Sequence, residues 1–399
     1  MRESQYLYFE GLDGPLYLLG CESLIDYFQV LFPDWDYQFG SQHENPIISI
    51  IFDNGIYRLS TSWQDEVKSY TDKVDVLCSL VAKLAKASSF SDLETLYLHA
   101  ASVVINGRLV VFPSKYRAGK SFLTTCLTAA GCTYFGDDVF PLTLDHCQGR
   151  SQGVAPRLRL PLPITTDSES KRFIEEYTAI RGKRYAYLDF DRQLRVARND
   201  KLDIGAFVLL ERQEGIDAQL EELPAATIFQ QLIKQNFARE VDGSRILSTL
   251  SQAISQAQCL KMNYDRADDA IKLLQKHFAH WPSQSKALQD VPHTSDLDSI
   301  VPEVISKDSF IQNKQAQKIR IEGENFLTSP DGKAIYHLNQ IGSGIWELLA
   351  EPSSKDIVVS TLAVAFPEIR RAIIEKDVAK IFKAFRLRNL INKPALNSQ

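Results

Sequence analysis

No window of the chain approaches 18 uninterrupted apolar residues, so the sequence predicts no membrane-spanning helix. The first residues, MRESQYLYFEGLDG, lack the positive start and long apolar block of a secretory signal. Cysteine is sparse. Cys21, Cys78, Cys126, Cys132, Cys147 and Cys259 form no CxxC pair, and none stands at zinc-ligand spacing with histidine. Six reduced thiols in a cytoplasmic protein are the expectation. Charge of one sign is missing too: 45 Lys and Arg face 50 Asp and Glu, a net charge of −5. That balance argues against a strongly basic nucleic-acid binder. Internal repeats are absent. What remains is an ordinary globular composition, 44% hydrophobic and 24% charged, over 399 residues, enough for two or three domains.

Residues 1–94 alternate short apolar runs with turn signals. Ile47–Phe52, Asp53-Asn54-Gly55 and Ile56–Leu59 predict a β-hairpin around Asn-Gly. Leu77, Leu80, Val81 and Leu84 stand at helical spacing and predict a helix over 77–87. The region reads as a small α+β lid or docking domain.

Residues 95–280 mix short apolar strands (Val103–Ile105, Leu109–Phe112, Cys132–Phe135, Phe207–Leu210) with helical stretches (Phe122–Ala130, Ala225–Phe237, Ile246–Gln258, Arg266–Phe278). An α/β core follows from that mixture. Residues 281–318 are polar, with three prolines and two aromatics, and read as a linker. A last module, 319–393, opens with two strands, Asn325–Thr328 and Ala334–Leu338, around Ser329-Pro330-Asp331-Gly332. Helices are expected over Gly342–Ala350, Lys355–Ala365 and Asp377–Leu387, with Ser353-x-x-Asp356 as a capping box for the middle one.

The sharpest motif is LVVFPSKYRAGKSFLTTCLTAAG. An apolar strand, Leu109–Phe112, enters a loop of Ser114, Lys115, Tyr116, Arg117, Ala118 and Gly119, and Lys120, Ser121 and Phe122 open an amphipathic helix that Gly131 closes. Strand, loop, Gly-Lys-Ser and helix are the parts of a phosphate loop, in which backbone N–H groups and the helix start hold phosphate oxygens. Lys120 would reach the β- and γ-phosphates of ATP, and the Ser121 hydroxyl would ligate Mg²⁺. Ser114 stands where the strict motif has glycine, the residue that lets backbone approach phosphate closely. Lys115 and Arg117 add positive charge to the same loop.

His99 precedes the first core strand, and Asp137-Asp138 follows the strand after the loop helix. Parallel strands would gather both at the sheet edge that carries the phosphate loop. Adjacent carboxylates can divide two tasks there, one binding Mg²⁺ and the other accepting a proton from an attacking hydroxyl. Each charge raises the other's pKa, which suits a base, and His99 would orient or tune it.

At these residues the chain resembles the HPr kinase/phosphorylase family, whose core is shared with phosphoenolpyruvate carboxykinase. The resemblance rests on His99-Ala100, Ser114–Ser121 and Asp137-Asp138, and on PRLRLPLP, IGAFVLLERQEG and CLKMNYDRADDAIKLL. It implies Asp137 as the base on a serine, Ser121 and Asp138 at the Mg²⁺ site, and Arg159 and Arg212 as phosphate or substrate contacts. The family's glycine-rich C-terminal signature is absent, which argues against HPr itself as substrate. The string GKAIYHLNQIGSGIWELLAE, with Tyr336, Leu338, Asn339, Gly342, Ile345 and Trp346, resembles the PqqD type. That implies a winged helix recognising the leader of a ribosomally made precursor peptide, which adds as a strand near Phe326–Leu338 and packs on the final helix. Val378, Ile381, Phe382 and Phe385 make a stripe for burial, and Lys376, Lys380 and Lys383 a basic face. Ten basic and nine acidic side chains over 321–399 are too balanced to indicate DNA binding. Together these imply an ATP-dependent kinase acting on a Ser or Thr of a precursor peptide. The alternative is a catalytically weakened scaffold that delivers the peptide to another enzyme. Neither nucleic acid nor a membrane is an expected partner, and assembly into a homo-oligomer stays open.

Overall fold

The computed structural model describes residues 4–41, 45–113, 118–237, 241–281 and 308–394. The chain forms two compact units, Met1–Val241 with Gln252–Lys286 and Asp242–Ser251 with Ala287–Gln399. Residues 1–94 lie in the first unit, with most of 95–280. No described helix is long and apolar enough to cross a membrane.

The first unit opens with a six-stranded sheet ordered Tyr37–Gly40, Ser4–Phe9, Leu16–Leu19, Ile48–Asp53, Ile56–Thr61, Gln64–Tyr70. The Asn-Gly turn forms as its chemistry dictates: Asp53 pairs with Ile56, and Asn54 (φ +50°) and Gly55 (φ +78°) take the left-handed conformations of a tight hairpin. The helix after it is longer than 77–87, running Lys73–Ser91, because Asp72 caps it by accepting from the Val74 N–H. Val74, Leu77, Leu80 and Leu84 share one buried core with Ile48, Ile50 and Leu59 of the sheet.

A second six-stranded sheet follows, ordered Thr133–Gly136, Ala101–Ile105, Arg108–Phe112, Ile204–Arg212, Gln258–Tyr264, Gln219–Glu222. It is mixed, which corrects the parallel arrangement expected from sequence. Arg108–Phe112 is parallel to Ile204–Arg212 and that strand to Gln258–Tyr264, whereas Ala101–Ile105 runs antiparallel to both of its neighbours. Gln258, the expected last residue of the helix from Ile246, instead opens the strand Gln258–Tyr264. The helix ends at Ser255, and Leu260, Met262 and Tyr264 alternate into the core with a period of two. The helix Lys120–Ala129 packs Leu123, Cys126 and Leu127 into that same core and is closed at Gly131 (φ +92°). A small sheet, Arg157–Arg159, Tyr185–Leu188, Thr178–Arg181, lies in the same unit.

In the second unit, Lys318–Ile321, Glu324–Thr328 and Ile335–Leu338 form an antiparallel sheet. The helices Gln340–Leu348, Lys355–Ala365 and Arg371–Leu387 follow. Most of the stretch read as linker lies outside the described residues. Its end, 308–318, carries the strand Ile311–Gln312, paired with Ile391–Asn392. Trp346, Val378, Phe382 and Phe385 are buried together, Ile381 partly so, and Lys376, Lys380 and Lys383 are exposed. The cap of the middle helix shifts by one residue from the expected box. Ser354 accepts from the Ile357 N–H, while buried Ser353 is held by backbone pairing with Phe310 and by donating its hydroxyl to the Leu348 carbonyl.

Candidate functional site

Three chain segments meet at one edge of the second sheet because of its antiparallel step. Ala101 pairs with Phe112 and Ser102 with Gly136, so the start of one strand lies beside the ends of the other two. His99 precedes the first, Asp137 follows the second, and the loop to Lys120 follows the third. Proximity therefore does not need parallel neighbours. Ser114, Lys115, Tyr116 and Arg117 lie outside the described residues.

Gly119 begins the loop helix at φ +87°, the left-handed region where a side chain is strained. A Cβ there would also stand 2.8 Å from the Tyr264 hydroxyl. Lys120 is buried at 5% exposure, with Nζ 3.3 Å from His99 Nε2. His99 Nδ1 is 2.9 Å from the Asp138 carbonyl, and its own backbone N–H donates to the Gln235 carbonyl. An ammonium only donates, so Nε2 accepts from Lys120 and the proton of a neutral imidazole sits on Nδ1, donated to Asp138. Burial, then the Lys120 charge, pushes the His99 pKa down, which favours that neutral form. Burial also lowers the Lys120 pKa, opposed by the charges of Asp137 and Asp138.

Asp137 is 8% exposed. Its Oδ1 accepts from the Ser121 hydroxyl at 2.9 Å and from the Asp138 N–H at 2.8 Å. Its Oδ2 is buried without a hydrogen-bond partner. Burial, then the neighbouring Asp138 charge, raises its pKa to about 7, against the opposing pull of Arg157, Ser121 and Lys120. Asp138 takes φ +61°, a conformation aspartate tolerates better than most residues, and its carboxylate is ion-paired with Arg157. Burial works against the Arg157 charge, but Asp138 and Asp137 overcome it and hold the guanidinium firmly charged. The Ser121 hydroxyl thus meets Asp137, while Asp138 turns to Arg157.

All of these groups but Asp137 border a cavity of about 400 Å³, lined by His99, Lys120, Ser121, Asp138, Arg157 and Arg159, among others. Ala118, Gly119 and Phe122 line it as well. Arg212 does not. Its guanidinium is bound to the Asp265 carbonyl and the Thr165 hydroxyl. Arg157 and Tyr185 went unnoticed in the sequence. The available signal was alternation in PRLRLPLP: Arg157 and Arg159 are two apart on one strand and so share a face, paired with Tyr187 and Tyr185.

No group of three or more His, Cys, Asp or Glu side chains forms a metal cage among the described residues. Mg²⁺ held with phosphates needs only one or two protein oxygens, keeping waters for the rest. Ser121 and Asp138 border the cavity and supply such oxygens. The residues fit the ion.

In the second unit, Ile335–Leu338 is an edge strand of its sheet. Beside it runs a groove of about 450 Å³ whose other wall includes Ile381, Ala384, Phe385 and Arg388. The Arg388 guanidinium lies 4.9 Å from the centre of the Tyr336 ring.

Residues 324–391 match the family model described as coenzyme PQQ synthesis protein D (PqqD). No curated protein matches the chain. Among solved structures, the Hpr(Ser) kinase/phosphatase from Coxiella burnetii is similar over 46% of this chain and 96% of that one, at 15% identity and a TM-score of 0.25.

Proposed function

We propose that the first unit is an ATP-dependent kinase and that the PqqD domain brings it a ribosomally made precursor peptide. The observation that carries this reading is the buried cluster around Asp137. An amine, a hydroxyl, a guanidinium and two carboxylates converge at a helix start, beside a cavity large enough for a nucleotide's phosphates. Lys120 and the helix start would hold the β- and γ-phosphates. Ser121 and Asp138 would hold Mg²⁺, which when bound offsets phosphate charge during transfer. Arg157 and Arg159 would add cations at the cavity wall. Asp137, with a pKa of about 7, is poised to take the proton of an attacking serine or threonine hydroxyl near neutral pH. His99 touches Lys120 and the Asp138 backbone rather than the Asp137 carboxylate, so it positions the amine and the turn.

The peptide's leader would add as a strand along Ile335–Leu338 and pack on Ile381, Phe385 and Arg388 of the neighbouring groove. Incubating the full chain with Mg·ATP and the purified precursor peptide should add the mass of one phosphate. Lys120→Ala and Asp137→Asn should each remove that gain. No gain with any precursor peptide encoded beside the gene would overturn the kinase reading. Ser114 in place of glycine favours a second reading, a nucleotide-binding scaffold, under which peptide binding persists and no phosphate moves.

A further inference from the structure

Asp137 does not line the cavity that contains Lys120 and Ser121. It lines an adjoining one, also of about 400 Å³, and His99, Asp138 and Arg157 border both. The adjoining cavity is walled by Val81, Ala82, Ala85 and Lys86 from the helix Lys73–Ser91, with Val139 and Phe237 among the rest. Most of this lining is apolar. Its Gln152 side chain already donates to the Ser88 hydroxyl. Asp137 Oδ2, in contrast, is a buried acceptor that no donor reaches, on a side chain more than nine-tenths buried. Leaving such an atom unmet is unfavourable, and a donor brought by a ligand would relieve it.

We propose that this second cavity receives the phosphate acceptor, a serine or threonine flanked by apolar residues, with its hydroxyl donated to Asp137 Oδ2 and the helix Lys73–Ser91 as the selective wall. The assignment rests on the kinase reading above. Nucleotide and acceptor then enter by separate cavities and meet at the shared wall of His99, Asp138 and Arg157. In the step itself, the acceptor oxygen forms a bond to the γ-phosphorus of ATP. The bond from that phosphorus to the β,γ-bridging oxygen breaks, and its electron pair leaves with ADP. The hydroxyl proton passes to Asp137. Acidic flanks are disfavoured because added carboxylates would enter a mostly apolar space beside Asp137 and Asp138, where Arg157 is already paired with Asp138 and Lys86 is the other cation of the lining. The region before residue 95 thereby acquires a role in choosing the substrate.

The test uses the full chain with a non-hydrolysable Mg·ATP analogue and two synthetic peptides, one with serine between leucine and valine residues, one with serine between aspartates. Ala82 is exposed on its helix, so Ala82→Trp fills the cavity from its wall without displacing core. Calorimetry should give at least about tenfold tighter binding of the apolar peptide by the wild type. Ala82→Trp should lose that advantage while binding the nucleotide analogue as before, which also reports that the variant is folded. Equal peptide binding by wild type and Ala82→Trp, absence of binding, or no preference between peptides overturns the proposal. Binding as expected without phosphate transfer from Mg·ATP overturns the kinase reading instead and upholds the cavity's ligand class.

Discussion

On the kinase reading proposed above, Asp137 would set the pH behaviour of the site. A base with a pKa of about 7 gains its active, ionised form as pH rises through that value, so phosphate transfer should climb from pH 6 to pH 8 and level off. Stability moves the other way. The folded-state pKa lies above the ordinary carboxylate value, so the native chain binds the extra proton. The stability this contributes is intact below about pH 4 and is lost as pH rises through about 7. Asp137→Asn carries no such charge. Its melting temperature should gain on the wild type between pH 4 and pH 7, while transfer is abolished. A gap that stays constant across this range would show that Asp137 is ionised in the fold throughout. Gly119 makes a second residue-scale case. Valine at φ +87° is strained by more than about 1–2 kcal/mol, and its Cβ would crowd the Tyr264 hydroxyl. Gly119→Val should weaken Mg·ATP binding at least about tenfold in calorimetry.

At the scale of elements, sequence periodicity marks what packs. In the second unit Trp346 is 2% exposed, with its ring edge-on to Phe385, so it is core rather than contact. Trp346→Ala should cost about 3–5 kcal/mol and abolish leader binding because the sheet and groove lose their support. Circular dichroism and peptide titration would read both. Boundaries were less legible than cores. Asp72 extends one helix by a cap outside its apolar stripe, and Ser353 lost the capping role to Ser354 because tertiary pairing with Phe310 claimed it. The strand Gln258–Tyr264 is not legible in the sequence because Leu260, Met262 and Tyr264 are too short a run to fix a period.

For the whole molecule, the two compact units make separable binding sites the expectation. On the proposed function, Lys120→Ala should eliminate Mg·ATP binding and leave affinity for the precursor peptide within about twofold of the wild type, as independent sites behave. A larger loss of peptide affinity would mean that the nucleotide site and the PqqD domain are energetically coupled.

The sequence by itself singled out Lys120, Ser121, His99, Asp137 and Asp138, because a Gly-Lys-Ser before a helical pattern and a paired carboxylate are local patterns of residue type and spacing. It also marked 319–393 as a separate module, by composition and by the Tyr-x-Leu-Asn string. Only tertiary structure decided how those residues divide. Antiparallel pairing of Ala101–Ile105 with both neighbours put three segments at one edge. Arg157, carried on a separate small sheet, took the Asp138 carboxylate and left Ser121 to Asp137. The helix Lys73–Ser91, far away in sequence, became the wall of a second cavity against Asp137. The neighbouring charge of Asp138 is legible in the sequence, but the burial of Asp137 and the opposing pull of Arg157 and Lys120 come from groups that no local window contains, so the size of the pKa shift belongs to the fold.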